Sequence, residues 1–137
     1  MKQMEKCLVS ACLTGLCTRY DGQSKTHTGC LQLLAKYHWV PVCPEQLGGL
    51  STPRPPANLI NGDGHDVLAG ICRVVDQHRV DRTDAFLRGA FMTLAIAQSQ
   101  SIRLCFFKSG SPSCGYAPVI GVTAALLQSH GIQIISF

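Results

Sequence analysis

Charge is scarce in this chain. Asp, Glu, Lys and Arg make up 15% of its 137 residues, and the net charge is only +4. The basic residues are scattered rather than gathered into a patch, so a nucleic-acid surface has little support and none is expected. No apolar stretch approaches the roughly 20 residues of a membrane span, and no membrane association is expected. The start, Met1 to Cys12, imitates a lipoprotein leader. Its apolar run between Lys6 and Cys12 falls short of the roughly 7–15 residues of a signal core, and Glu5 sits where such segments avoid acid. A cytoplasmic protein is therefore expected. No repeat, low-complexity tract or charge run breaks the sequence. With 46% apolar residues it is not disordered, and its length suits one domain covering residues 1–137.

Against these shortages stands one excess, eight cysteines. A reducing compartment keeps thiols free, which turns attention from disulfides to metal or thiol chemistry. No Cys-x2-Cys pair of the kind common in structural zinc sites occurs.

Apolar runs alternate with helical patterns along the chain. Cys7–Ala11 reads as a first strand, residues 27–38 as a helix and Trp39–Val42 as a second strand. Pro41 places that strand at an edge or near its end. Residues 46–66, rich in Gly and Pro, read as loop. Residues 71–75 read as a short strand. The clearest helix spans 83–98, with Phe86, Ala90 and Leu94 in one row and Leu87, Phe91 and Ala95 in the next. Asp81, Thr83 or Asp84 can cap its start. Ile102–Phe107 reads as a strand, 121–130 as a helix stopped by Gly131, and Ile132–Ile135 as the last strand. The alternation predicts an α/β fold, a mostly parallel sheet with helices on both faces. Right-handed crossovers would bring the carboxyl ends of all strands to one rim, where ligands of such sheets bind.

Cys12, Cys43 and Cys114 each follow a strand and so approach that rim together. Cys43-Pro44-Glu45 and Ser111-Pro112-Ser113-Cys114-Gly115 set two of them in loops stiffened by proline. Cys17 lies in the first loop and could reach the same place. Cys7, Cys30, Cys72 and Cys105 read as packing residues, since a free cysteine behaves as a small hydrophobe. Three convergent thiols leave an iron–sulfur cluster, zinc, or thiol chemistry without metal as open alternatives.

The ordered motifs Val-Ser-Ala-Cys-Leu (9–13), Arg-Tyr-Asp-Gly (19–22), Pro-Val-Cys-Pro-Glu (41–45), Gly-Gly-Leu (48–50), Pro-Arg-Pro-Pro (53–56), Phe-Leu-Arg-Gly-Ala (86–90), Ser-Pro-Ser-Cys-Gly (111–115) and Gly-Val-Thr-Ala-Ala-Leu-Leu (121–127) span nearly the whole chain. Together they resemble the bacterial family whose characterised members are thiouracil desulfidases. That resemblance implies a [4Fe-4S] cluster on Cys12, Cys43 and Cys114. It also implies non-redox conversion of a thiocarbonyl to a carbonyl on a small thiolated pyrimidine, with release of sulfide. Glu45 matches the family's proton-transfer group, and of the two motif serines Ser111 is taken as the catalytic one over Ser113. Arg19 and Asp21 are expected to pair across the first loop without a catalytic role. Relatives carry a longer loop with a Tyr-Asp-Gly element where only Tyr116–Ile120 stand here, which implies a missing wall or lid. A non-catalytic cluster or metal-binding module and a thiol-based sulfur carrier are the alternatives. The chain is expected to be a monomer, or a homodimer joined through its last strand.

Overall fold

A computed structural model describes residues 3–137. Its central sheet has four parallel strands, β1 (Lys6–Ser10), β2 (His38–Val42), β5 (Leu104–Phe107) and β6 (Gln133–Ser136), in the order β2-β1-β5-β6. A separate antiparallel pair joins β3 (Ala57–Ile60) to β4 (Arg73–Asp76). The helices are α1 (Thr28–Leu34), α2 (Pro44–Leu47), α3 (Gly64–Leu68), α4 (Thr83–Ser99) and α5 (Val122–Ser129).

The period-two alternation of the strands splits the core into two clusters. Cys7, Val9, Leu104 and Phe106 face Cys30 and Leu34 of α1. Leu8, Cys105 and Phe107 face the other way, onto Phe86, Ala90 and Leu94 of α4 and Val122, Leu126 and Leu127 of α5. Helices thus cover both faces of a parallel sheet, as the alternation of the sequence implied. Each large apolar side chain so buried contributes about 1.5–3 kcal/mol.

The strand order has a functional consequence. From β1 the chain crosses to β2 through α1 on one face, while from β5 it crosses to β6 through α5 on the other. Connections therefore diverge at the carboxyl ends of β1 and β5, and a crevice opens where they part.

Three local readings are corrected. The stretch 46–66 is not all loop, since it holds the end of α2, all of β3 and the start of α3. Short elements flanked by Pro, Gly and Asp carry too few residues to show a period. The strand read at 71–75 forms as β4, but pairs with β3 outside the parallel sheet. In α4 the row Leu87, Phe91, Ala95 meets the core only through Leu87, while Ala95 is exposed and Phe91 is 55% exposed. The buried face instead includes Gly89, because α2 lies against it. A Cβ at Gly89 would run into the Pro44 carbonyl, and one at Gly48 into that of Ala85. Backbone packs directly on backbone there, and this contact seats the α2 segment beside the crevice.

None of Asp81, Thr83 and Asp84 is the N-cap of α4, which is Arg82 without a side-chain capping bond, but two of them bind beside it. Asp81 Oδ1 accepts the Thr83 N–H at 2.8 Å, while Thr83 Oγ1 accepts from Val74 N and ties α4 to β4. Arg19 and Asp21 stand in a 3.6 Å ionic contact, too long for a hydrogen bond. Pro41 does lie in an edge strand, β2.

Candidate active site

Three chain segments descend from the strand ends into one cavity of about 250 Å³ at the crevice. The first leaves β1 through a single 3-10 turn, Ala11–Thr14, closed by Gly15 at φ +100°. Cys12 sits within this turn and is buried. The second leaves β2 at Cys43, whose extended backbone hands over to α2 with Pro44 in the first helical turn. Proline suits that position because its missing N–H would have no helical partner. Glu45 follows one residue later.

The third segment follows β5. Ser111 Oγ accepts the N–H groups of Ser113 and Cys114, each at 3.1 Å, and the Gly115 N–H reaches the Ser111 carbonyl at 2.9 Å. The loop is then fastened to the start of α5, where Val122 N donates to Pro112 O and Ala124 N to Ser113 O. Cys114 is held by this double anchorage and is 5% exposed. Cys12, Cys43 and Cys114 all line the cavity, together with Glu45, Ser111 and Ser113. Cys17 is exposed and does not line it.

The polar groups form one connected array. Ser113 Oγ donates to Glu45 Oε2 at 3.1 Å and lies 2.9 Å from Ser111 Oγ. Since the Ser113 hydrogen goes to the carboxylate, the Ser111 hydroxyl must donate to Ser113. The chain of hydroxyls therefore runs one way, from Ser111 through Ser113 to Glu45. Ser113, not Ser111, touches the carboxylate. Glu45 Oε1 meets Arg54 Nε at 3.0 Å, in an ion pair whose two side chains are 13% and 5% exposed. Arg54 was legible only as part of a proline-rich loop. A charged residue among Pro53, Pro55 and Pro56, with no acidic neighbour in sequence, was the available hint that it folds inward.

Burial pushes the Cys114 thiol up against the pull of hydrogen bonds from Ser10 and Ser113, and Cys43 and Cys12 reinforce the rise. Cys12 is likewise raised, by burial first and by Cys43, with Arg19 and Lys108 opposing. Buried thiols of this kind stay protonated on their own and become thiolates when a cation takes the charge. Besides the Arg54–Glu45 pair, Arg19 and Lys108 line the cavity, so counter-charge for thiolates is present. Cys7 and Cys105, by contrast, are pushed up to about 12, each by burial first, with no cationic side chain among the causes. They are packing residues.

Among the described residues, no three His, Cys, Asp or Glu side chains crowd round a point as one metal ion would require. A cluster takes each thiolate on a different iron, so its legs stand apart around a cavity. Three cysteine legs on separate loops, with surplus positive charge, suit such a group. The short loop Tyr116–Ile120 does not line the cavity, which Thr18–Tyr20, Arg54, Pro56–Asn58, Lys108 and Gly110–Cys114 complete.

Known proteins resemble this chain in sequence and fold. A solved structure titled [4Fe-4S]-dependent thiouracil desulfidase TudS superimposes with a TM-score of 0.80 at 42% identity, covering 96% of this chain and 90% of that one. The uncharacterised protein YbbK of Bacillus subtilis (strain 168) is 39% identical over 141 residues, covering 94% of this chain and 93% of its own length. A model of the 2-thiouracil desulfurase family matches residues 7–136, and the chain belongs to that enzyme family.

Proposed function

We propose that this protein hydrolyses the thiocarbonyl of a small thiolated pyrimidine such as 2-thiouracil, using a [4Fe-4S] cluster held by Cys12, Cys43 and Cys114. The observation that carries the reading is the convergence of these thiols with Glu45 and the two serines on one cavity. Cys12, Cys43 and Cys114 would hold the cluster, and the chemistry it would supply when bound is that of a soft Lewis acid for the thiocarbonyl sulfur.

The remaining work belongs to the chain. Glu45 accepts a proton as water adds to the ring carbon and returns it as sulfur departs. Ser113 holds the second carboxylate oxygen and links it to Ser111 at the cavity wall. Water adds across the C=S bond, the carbonyl forms, sulfur leaves as sulfide with two protons, and no electrons are exchanged. The eight free thiols support a reducing, cytoplasmic setting, with residues 1–137 working as one desulfidase-like domain. No helix among the described residues is long and apolar enough to cross a membrane.

The test is anaerobic purification and reconstitution, followed by iron, acid-labile sulfide and turnover measurements. Sulfide should be released from 2-thiouracil, and Cys12→Ser, Cys43→Ser or Cys114→Ser should each abolish cluster and activity. Cys7→Ala and Cys105→Ala should keep both. An iron-free protein after reconstitution would refute the proposal. A loaded protein that releases no sulfide would indicate a non-catalytic module, and a persulfide without metal would indicate a sulfur carrier.

A further inference from the structure

Arg54 is almost completely enclosed, 9% exposed, and every nitrogen of its guanidinium is engaged. Nε donates to Glu45 Oε1 at 3.0 Å. One terminal nitrogen donates to the Ser51 carbonyl at 3.2 Å and to Thr52 Oγ1 at 2.8 Å, and the other to the Thr18 carbonyl at 2.9 Å. That second nitrogen also lies 3.9 Å from Cys43 Sγ. The planar fork thus joins three segments: the first loop at Thr18, the Cys43–Glu45 segment, and the loop leading into β3.

We propose that Arg54 is the positioning residue for Glu45, holding one carboxylate oxygen so that the other is turned to Ser113 and the cavity. Arginine has donors and no acceptor, so Oε1 is held by a partner that only donates. Oε2 is bonded to Ser113. The same contacts fix where that oxygen points. The Thr18 and Ser51 carbonyls and Thr52 Oγ1 hold the guanidinium in its plane, and the plane sets the carboxylate. Lysine cannot substitute, because one ammonium cannot span four acceptors arranged along a fork. The inference rests on Glu45 being the proton carrier.

The experiment is a double-mutant cycle of Glu45→Gln, Arg54→Gln and the pair, with Arg54→Lys as a variant that keeps the buried charge if Arg54→Gln folds poorly. Loaded Arg54 variants should retain iron per chain and a KM for 2-thiouracil within about twofold. Their kcat should drop about 10- to 100-fold, the usual loss when a supporting group is removed. Because Arg54 acts through Glu45, the double variant should be no slower than Glu45→Gln alone. In cluster-free protein, the melting-point losses of the two single variants should sum to more than that of the pair. Guanidinium ion added to Arg54→Ala should restore part of kcat.

Wild-type kcat in Arg54→Lys and Arg54→Gln would overturn the proposal while leaving Glu45 in place. So would multiplicative losses in the cycle, or loss of iron in step with activity. Wild-type kcat in Glu45→Gln would overturn the reading of Glu45, and this inference with it.

Discussion

Gly89→Ala puts the packing of the site segment to a direct test. Gly89 lies in the interior of α4, where alanine is worth about 1 kcal/mol more than glycine by helix propensity. Propensity alone therefore predicts a more stable protein. The structure predicts the opposite. A Cβ at Gly89 would stand 2.8 Å from the Pro44 carbonyl carbon and 3.2 Å from the Gly48 nitrogen, besides meeting the Pro44 carbonyl oxygen. Carbon atoms normally rest about 3.5–4.0 Å apart, so α2 must retreat by about 0.7 Å or more. Its backbone cannot rotate out of the way as a side chain could. Overpacking of this kind costs about 1–3 kcal/mol, here at the upper end because the obstacle is backbone. The net loss is then about 2 kcal/mol, which urea unfolding of the cluster-free protein should read as a lower midpoint at unchanged slope. Cys43 and Glu45 ride on the displaced segment, and misplacement by about 1 Å can cost about 100-fold in turnover. Gly89→Ala should therefore lose kcat as well as stability. A variant more stable than wild type would refute the close approach and the role assigned to it.

Asp76 is buried, which opposes ionisation, but the N–H groups of Val80 and His78 and the Arg82 guanidinium more than offset this and hold its carboxyl below the usual range. Its contribution to stability is thus full above the unfolded value of about 4 and fades as pH falls through the lower folded one. Asp76→Asn should melt lower than wild type at pH 7, and the gap should narrow below about pH 4; a pH-independent gap would contradict the assignment. Ser113→Ala, which removes the donor to Glu45, should lower kcat with iron content unchanged. Ser111→Ala leaves the Ser113 and Cys114 N–H groups without their acceptor, at about 1–3 kcal/mol for a buried unsatisfied donor. It should weaken iron retention too, as iron analysis after gel filtration would show.

Much of this site was legible in the chain because its signals are local. Proline before Glu45, the Ser-Pro-Ser-Cys-Gly turn and the position of each cysteine after an apolar run are features of a few neighbouring residues. Alternation of strands and helices then implied parallel strands, and parallel strands imply a shared rim. That separates Cys12, Cys43 and Cys114 from Cys7 and Cys105 on sequence alone. Failures had equally physical causes. A four-residue strand such as β3 shows no period, and the outward turn of Phe91 depends on α2 occupying the Gly89 face.

What the sequence determined by itself was the layered α/β class and the types of residue brought to the strand ends, because periodicity and turn chemistry act over short range. Tertiary structure alone decided the strand order, and so placed the crevice between β1 and β5. It also decided that Arg54, distant in the chain from Thr18, closes on Glu45, and that Ser113 rather than Ser111 touches that carboxylate. Those pairings depend on how three separate loops meet in space, and hydrogen bonds across such distances leave no pattern along the chain.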